Sequence, residues 1–493
     1  MSGRSTHSHR IVALLFVGTF LMQLAWIFTL PPYRGMDEFD HAYRAAAVAG
    51  GEIRDRGVPA NGRGKLVTVP RSIVETARPI CSSYLYTGHD NCNPVRDAGD
   101  GKVLVASAAS AYNPVFYLVV GTVAKPFEGT TALYVMRLAT ALLCAALVAL
   151  AGWVSTLWSR SWWPLVSLVT VITPTMLFSA SVAAPNGIEM TGALVIWMAL
   201  LGLHDPEASR AHARTLLTIA ATVACVVVTV RSIGPVWVAL IALAALLPLG
   251  PRRIRALVQE HPRLIAALSL VVLAVTSASA WWTVTSGANR LEPFETEVDS
   301  PVLGTLAQYP LWFLQAMAAF PRRHDPVPAI VYVAMGSVLL ALVVAGFAVA
   351  TRRLRLTILA VILVACLVPF VLTVPTIREA GPVWQGRYSI PLHVGALLVA
   401  GLALDRARPV HRFVPFAMVL GAALFVVAHV VATLHVYGEE LATSPLAGSP
   451  TWVAMPAWCA AALLVLGCLA WAAALESADH GITRSARSSA DKR

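Results

Sequence analysis

Charge is scarce in this chain. Of 493 residues, 13% are Asp, Glu, Lys or Arg and 57% are hydrophobic, and the mean hydropathy is +0.69. Soluble domains carry about a quarter charged residues, so a soluble enzyme or binding module is excluded and a polytopic membrane protein is expected. Cysteine is sparse too, and no Cys or His spacing suits zinc. A glycine-rich phosphate loop is absent, which removes the usual nucleotide cradle. The net charge of +11 does not restore a nucleic-acid function. Its arginines fall mostly in short loops between apolar runs, the pattern of membrane orientation.

Long apolar runs fill the rest. The first, Ile11 to Leu30, follows Arg4 and Arg10 as a signal peptide would. It is too long for one, and no small-x-small cleavage site precedes Pro31, so an uncleaved span with a cytoplasmic N-terminus is expected. Eleven further spans are expected between Ala132 and Ala474, among them Pro164–Val182, Asn186–Leu203 and Val236–Leu247. The fold class is therefore an all-α polytopic membrane protein with about 12 transmembrane helices and both termini inside. Charge supports that parity. The expected inner loops hold Arg160, Arg210 and Arg214, the Arg252–Arg263 cluster, Arg352–Arg355 and Arg406–Arg412. Residues 1–475 read as one integral domain in a cell (inner) membrane. Residues 476–493, with Arg484, Arg487, Lys492 and Arg493, read as a disordered cytoplasmic tail.

The long non-apolar stretch, residues 31–131, forms a first outer loop with membrane-surface helices. Asp40 to Val48 suits a short helix lying on the membrane, stopped by Gly50-Gly51. Tyr112 to Phe127 is short for a span and either lies on the surface or re-enters. Cys81 and Cys92 alone of the seven cysteines lie outside the apolar runs. In an oxidising exterior they read as a disulfide, with two unrelated thiols as the alternative.

The chemistry concentrates at membrane edges. Pro31-Pro32 ends the first run, and Asp37, Glu38, Asp40 and His41 follow within a few residues. Charge at a bilayer edge is costly unless it is wet and useful, although a solvated loop start is the plain alternative. The same outer side receives the Ala184-Pro185-Asn186-Gly187 break, the Asn289–His324 loop and the Ile377–Tyr388 connection. The last holds Arg378, Glu379, Trp384, Gln385, Arg387 and Tyr388. Arg387 enters the bilayer where a guanidinium either snorkels or donates two parallel hydrogen bonds to a phosphate. A carboxylate and a phosphate-binding arginine at one face suit transfer of a sugar from a lipid phosphate. Asp37 would take a proton from the acceptor hydroxyl while Arg387 stabilises the departing phosphate.

Four runs together carry a resemblance. They are Met36-Asp37-Glu38-Phe39-Asp40-His41 with Ala42-Tyr43-Arg44, Tyr112-Asn113-Pro114…Tyr117 followed by Arg137, Thr173 through Gly187, and Trp384-Gln385-Gly386-Arg387-Tyr388-Ser389-Ile390-Pro391. In this order they resemble domain-of-unknown-function family 2142, which is similar to the GT-C superfamily of membrane glycosyltransferases that use polyprenyl-phosphate sugars. The resemblance implies a GT-C-like fold and an inverting glycosyltransferase. Asp37 would be the base, with Glu38 as its neighbour or, with Asp37, a ligand to a divalent cation; no cofactor is otherwise implied. Arg387, Tyr388, Gln385, His41, Arg378, Asn186 and Arg137 would bind donor phosphate and substrate. The partners implied are a polyprenyl-phosphate sugar, an envelope glycan or glycolipid acceptor and the bilayer, with no nucleic acid. Two departures matter. Asn186 stands where the family usually has an acid, and an amide is a weaker metal ligand than a carboxylate. The insert Tyr33-Arg34-Gly35-Met36 replaces a proline–aspartate junction and bears on where Asp37 points. A flippase of lipid-linked sugars is the first rival reading. It needs polar residues within the spans, where Arg137, Glu189 and Arg231 are the main ones. A non-catalytic scaffold is the second, and it has no use for Asp37 and Arg387 on one side.

Overall fold

The structure, a computed structural model, describes residues 2–288, 298–320, 326–407 and 414–490. Parts of the expected Asn289–His324 loop, and Arg408, Arg412, Lys492 and Arg493, lie outside the described residues. The apolar runs form helices, because a backbone in hydrocarbon must satisfy its own hydrogen bonds. Among the described residues nine helices are long and apolar enough to cross a membrane, from Ser8–Thr29 to Ala457–Ala478. A tenth span counts if Gly234–Leu249 and Pro251–Glu260, bent by 104°, are taken as one.

The difference from twelve falls on three expected spans, two of them interrupted at prolines and one short. The run Pro164–Val182 breaks into Trp163–Thr170 and Pro174–Ser179, where Thr173 accepts from the Met176 amide as an N-cap. Helix Gly234–Leu246 is short, ending in the turn Leu247–Leu249 around Pro248. Helix Asn186–Gly202 has 17 residues, about 26 Å of helix, and every one is buried. It sits in the middle of the bundle against Pro206–Val230, Gly129–Thr156, Gly234–Leu246 and Ile390–Arg406. The opening helix Ser2–Thr29 packs on Ala457–Ala490 and on Gly129–Thr156. Helix Ala457–Ala490 runs on past residue 476, where a disordered tail was expected.

The first loop adds a feature that the all-α expectation lacked. Strands β1 (Lys65–Pro70), β2 (Arg96–Gly99) and β3 (Lys102–Ser107) form an antiparallel sheet in the order β1-β3-β2. Val67, Val69, Val103 and Val105 alternate inward and are fully buried, the period-two pattern of a one-sided sheet. Cys81 and Cys92 form a disulfide with Cα atoms 5.4 Å apart. Pro114–Ala124 lies against Glu38–Ala49 and Gly129–Thr156, with Val115, Leu118, Val119 and Val123 exposed.

Candidate active site

The turn between the opening helix and Glu38–Ala49 sends two adjacent acids in different directions. Tyr33 and Asp37 both adopt positive φ, 62° and 55°. An aspartate tolerates this backbone; a bulky tyrosine seldom does. Tyr33 is held there by its buried hydroxyl, which lies 3.0 Å from Thr76 Oγ1 and donates to the Gly129 carbonyl. Gly35 has no room for a side chain, since a Cβ would lie 2.9 Å from the Glu38 carboxyl.

Glu38 turns inward and is fully buried. Its Oε1 accepts from Arg137 Nε at 2.8 Å and from the Ala183 amide at 3.0 Å. Its Oε2 accepts from Arg137 Nη2 at 2.6 Å and from the Gly35 amide at 3.1 Å. Arg137 donates its remaining hydrogens to the carbonyls of Ile27, Leu30 and Pro31. All five of its N–H groups are committed, and the carbonyls it reaches lie at and just beyond the end of the opening helix. The pair is a structural pin. Glu38 was expected to be catalytic or a metal ligand and Arg137 to bind substrate; in the structure each gives its hydrogen-bonding groups to the other and to nearby backbone.

Asp37 remains at the surface of the turn, half-buried, accepting from the Tyr86 hydroxyl at 3.2 Å. One helical turn on, His41 is buried beside Tyr112 and Tyr117, with Nδ1 2.8 Å from the Tyr117 hydroxyl. Burial pushes the imidazole down to about 3; Asp37 opposes this, while Arg231 and Arg387 add to it. His41 is therefore neutral. Asp40 faces away and holds the Ala108 amide.

The guanidiniums come from the other end of the sequence. Arg387 lies in the turn Gly386–Ser389, and its Nη1 touches the Met36 sulfur, next door to Asp37. Gly386 is required here, because a Cβ would fall 1.7 Å from the Trp312 carbonyl oxygen. The Gly386 amide donates to the Gln315 side chain. Arg387 is buried, and its Nε has no partner among the described residues. Arg231, the residue that ends helix Pro206–Val230, lies with its guanidinium carbon 4.4 Å from the centre of the Tyr388 ring; that of Arg387 lies 5.3 Å from it. Arg231 Nη1 donates to Asn186 Oδ1 at 2.8 Å, and its Nε is 3.7 Å from the buried Glu189 carboxylate, one turn further along. A narrow cavity of about 10 Å³, the room one water needs, runs among Met36, Thr175, Phe178, Gln315, Gln385 and Arg387. A half-buried carboxylate, a neutral imidazole and two guanidiniums stacked on one tyrosine thus lie near one another. That set can accept a proton and hold an anion.

The family of predicted membrane proteins known as domain-of-unknown-function family 2142 matches residues 20–396. The chain belongs to this family. Its match begins within the opening helix and ends within Ile390–Arg406, so it takes in every side chain of the cluster. None of the curated proteins matches the chain. Among solved structures, that of ArnT from Cupriavidus metallidurans bound to undecaprenyl phosphate aligns over 92% of this chain and 77% of that one, at 13% identity and a TM-score of 0.38. A likeness at that level carries no weight for fold or activity.

In this family member the structure brings together Asp37, His41, Asn186, Gln385, Arg387 and Tyr388. Arg378 is elsewhere, exposed and donating to the Val298 and Asp299 carbonyls. Among the described residues no three His, Cys, Asp or Glu side chains converge to hold a metal ion. With both Glu38 oxygens occupied, the Asp37–Glu38 pair does not fit one. Arg231, Glu189, Tyr86 and Met36 join the site without having been expected in it. Arg231 and Glu189 carried a signal, as ionisable residues in apolar runs.

Proposed function

We propose that this protein is a membrane glycosyltransferase that moves a sugar from a polyprenyl-phosphate donor to an envelope glycan or glycolipid on the outer face of a cell membrane. The observation that carries the reading is the meeting of Asp37 with Arg387 and Arg231 around His41. A base and an anion-binding pair that flank one sugar supply both ends of a single displacement. The acceptor oxygen bonds to the anomeric carbon as its proton passes to Asp37. The bond from that carbon to the phosphate oxygen breaks, and the departing dianion is held by the two guanidiniums, with inversion at carbon. Neutral His41 packs beside the base without competing for the phosphate. The sequence resemblance to polyprenyl-phosphate-dependent transferases supports the same chemistry.

The test is transfer from a radiolabelled polyprenyl-phosphate sugar by the full chain in membranes. Asp37→Asn keeps size and polarity but removes the accepting charge, so turnover should fall about a hundred- to ten-thousand-fold with donor binding retained. A full-rate Asp37→Asn protein removes Asp37 as the base. Lipid movement across vesicles without any transfer by the wild type replaces this reading with a flippase.

A further inference from the structure

Asp37 is held from the first loop. The loop between Cys81 and Cys92 is closed by their disulfide, and it carries Tyr84 and Tyr86. The two rings stack with centres 5.1 Å apart. Tyr84 also stacks on Phe39 and lies under the Arg34 guanidinium, which is fixed by a buried ion pair at 2.6 Å to Glu440, in helix Val414–Thr443. Arg63 lies over the outer ring, Tyr86. The loop is thereby fastened at its ends by sulfur and at its centre by stacking. The group it presents is the Tyr86 hydroxyl, donating to Asp37 Oδ1.

We propose that Tyr86 is a positioning residue for Asp37 and that the disulfide is what keeps it in place. The proposal rests on Asp37 being the base. A carboxylate with two equivalent oxygens gains direction when one of them is held, and here Oδ1 accepts from the phenol. A hydrogen bond donated to the charged form also favours that form, so Asp37 stays ready to accept at lower pH. Titratable and charged groups on the elements around this turn include His41, Asp40, Arg34, Tyr84, Arg63, Tyr112, Arg231 and Arg387. Reduction of Cys81–Cys92 would release the loop, and the base with it.

The experiment uses the full chain in nanodiscs with four preparations: wild type, Tyr86→Phe, and each of these after reduction by dithiothreitol. Tyr86→Phe should lower kcat about three- to tenfold with KM nearly unchanged, as expected for one hydrogen bond to a charged group. The acid limb of its pH profile should move upward. Reduction should slow the wild type to a similar extent and add little to Tyr86→Phe. Carbodiimide labelling of Asp37 against pH, read by peptide mass spectrometry, follows the protonated carboxyl without any transfer, and its midpoint should rise in Tyr86→Phe. An unchanged labelling midpoint in that variant overturns the proposal. So does equal slowing of both proteins on reduction, which would assign the disulfide to the fold alone. If the wild type transfers no sugar, the base reading of Asp37 falls, and the labelling midpoint alone decides whether Tyr86 governs this carboxyl.

Discussion

Two arginine regions lie on either side of the turn that carries Asp37, and they are built on opposite principles. At Arg137 every donor is matched: three N–H groups bond the Ile27, Leu30 and Pro31 carbonyls and two grip Glu38, with both side chains sealed from solvent. At Arg387 and Arg231 the guanidiniums stack on a shared tyrosine, Arg387 Nε has no partner among the described residues, and the nearest acid, Glu189, is 3.7 Å from Arg231 Nε. A buried charge with complete hydrogen bonding locks a fold, whereas one with spare donors is costly unless a ligand completes it. The contrast separates a pin from a site although both read alike as intramembrane arginines.

The largest expected break in that contrast is Glu38→Ala. It leaves Arg137 buried and uncompensated, a loss of about 3–5 kcal/mol, and folded protein recovered in detergent should drop sharply by size-exclusion chromatography. Normal recovery and thermal midpoint would mean that the pin is not one.

Next comes pH, which tests how far the open region reaches. His41 has its pKa lowered from 6.5 to about 3 in the fold, chiefly by burial. A group depressed in this way contributes stability fully present above pH 6.5 and lost as pH falls toward 3. By pH 4 the loss is of order 3 kcal/mol. His41→Gln should therefore show a smaller fall in thermal midpoint between pH 7 and pH 4 than the wild type. An equal fall in both would show that His41 does not set acid sensitivity.

Smaller effects sharpen the comparison. Arg387→Lys and Arg231→Lys keep charge but lose the planar fork, so binding of a polyprenyl phosphate should weaken about tenfold in each while folding holds. Arg137→Lys should do the reverse and lose the fold, because three donors cannot replace five. Smallest of all, Arg378→Ala should leave binding and recovery within about twofold, since its bonds are exposed and made to loop carbonyls. A larger effect there would draw Arg378 back into the site.

Much of this was legible in the residues. Scarce charge and long apolar runs announce a helical membrane protein, and Pro31-Pro32 marks where the first helix stops. The Cys81–Cys92 spacing and compartment suggest a bridge. Asp37, Asn186 and Arg387 were expected at one membrane edge because span parity sends every second connection to the same side. The three short or broken helices were less legible: Pro174 and Pro248 were visible, but a hydropathy average spreads over such interruptions. The small sheet was missed because its strands are short and lie in a polar segment where helices alone were expected.

By itself the sequence determined that the chain belongs in a membrane. That is a property of local composition, and it survives any packing. Only the tertiary structure decided that Glu38 is fully buried against Arg137 while its neighbour Asp37 is half-buried and bonded to Tyr86, and that Arg137 has every donor engaged while Arg387 Nε has no partner among the described residues. The physical reason is that a charged group's role depends on how many of its hydrogen bonds the protein already satisfies. For Glu38 those partners lie 99 residues away at Arg137 and 145 away at Ala183, where no local pattern reaches.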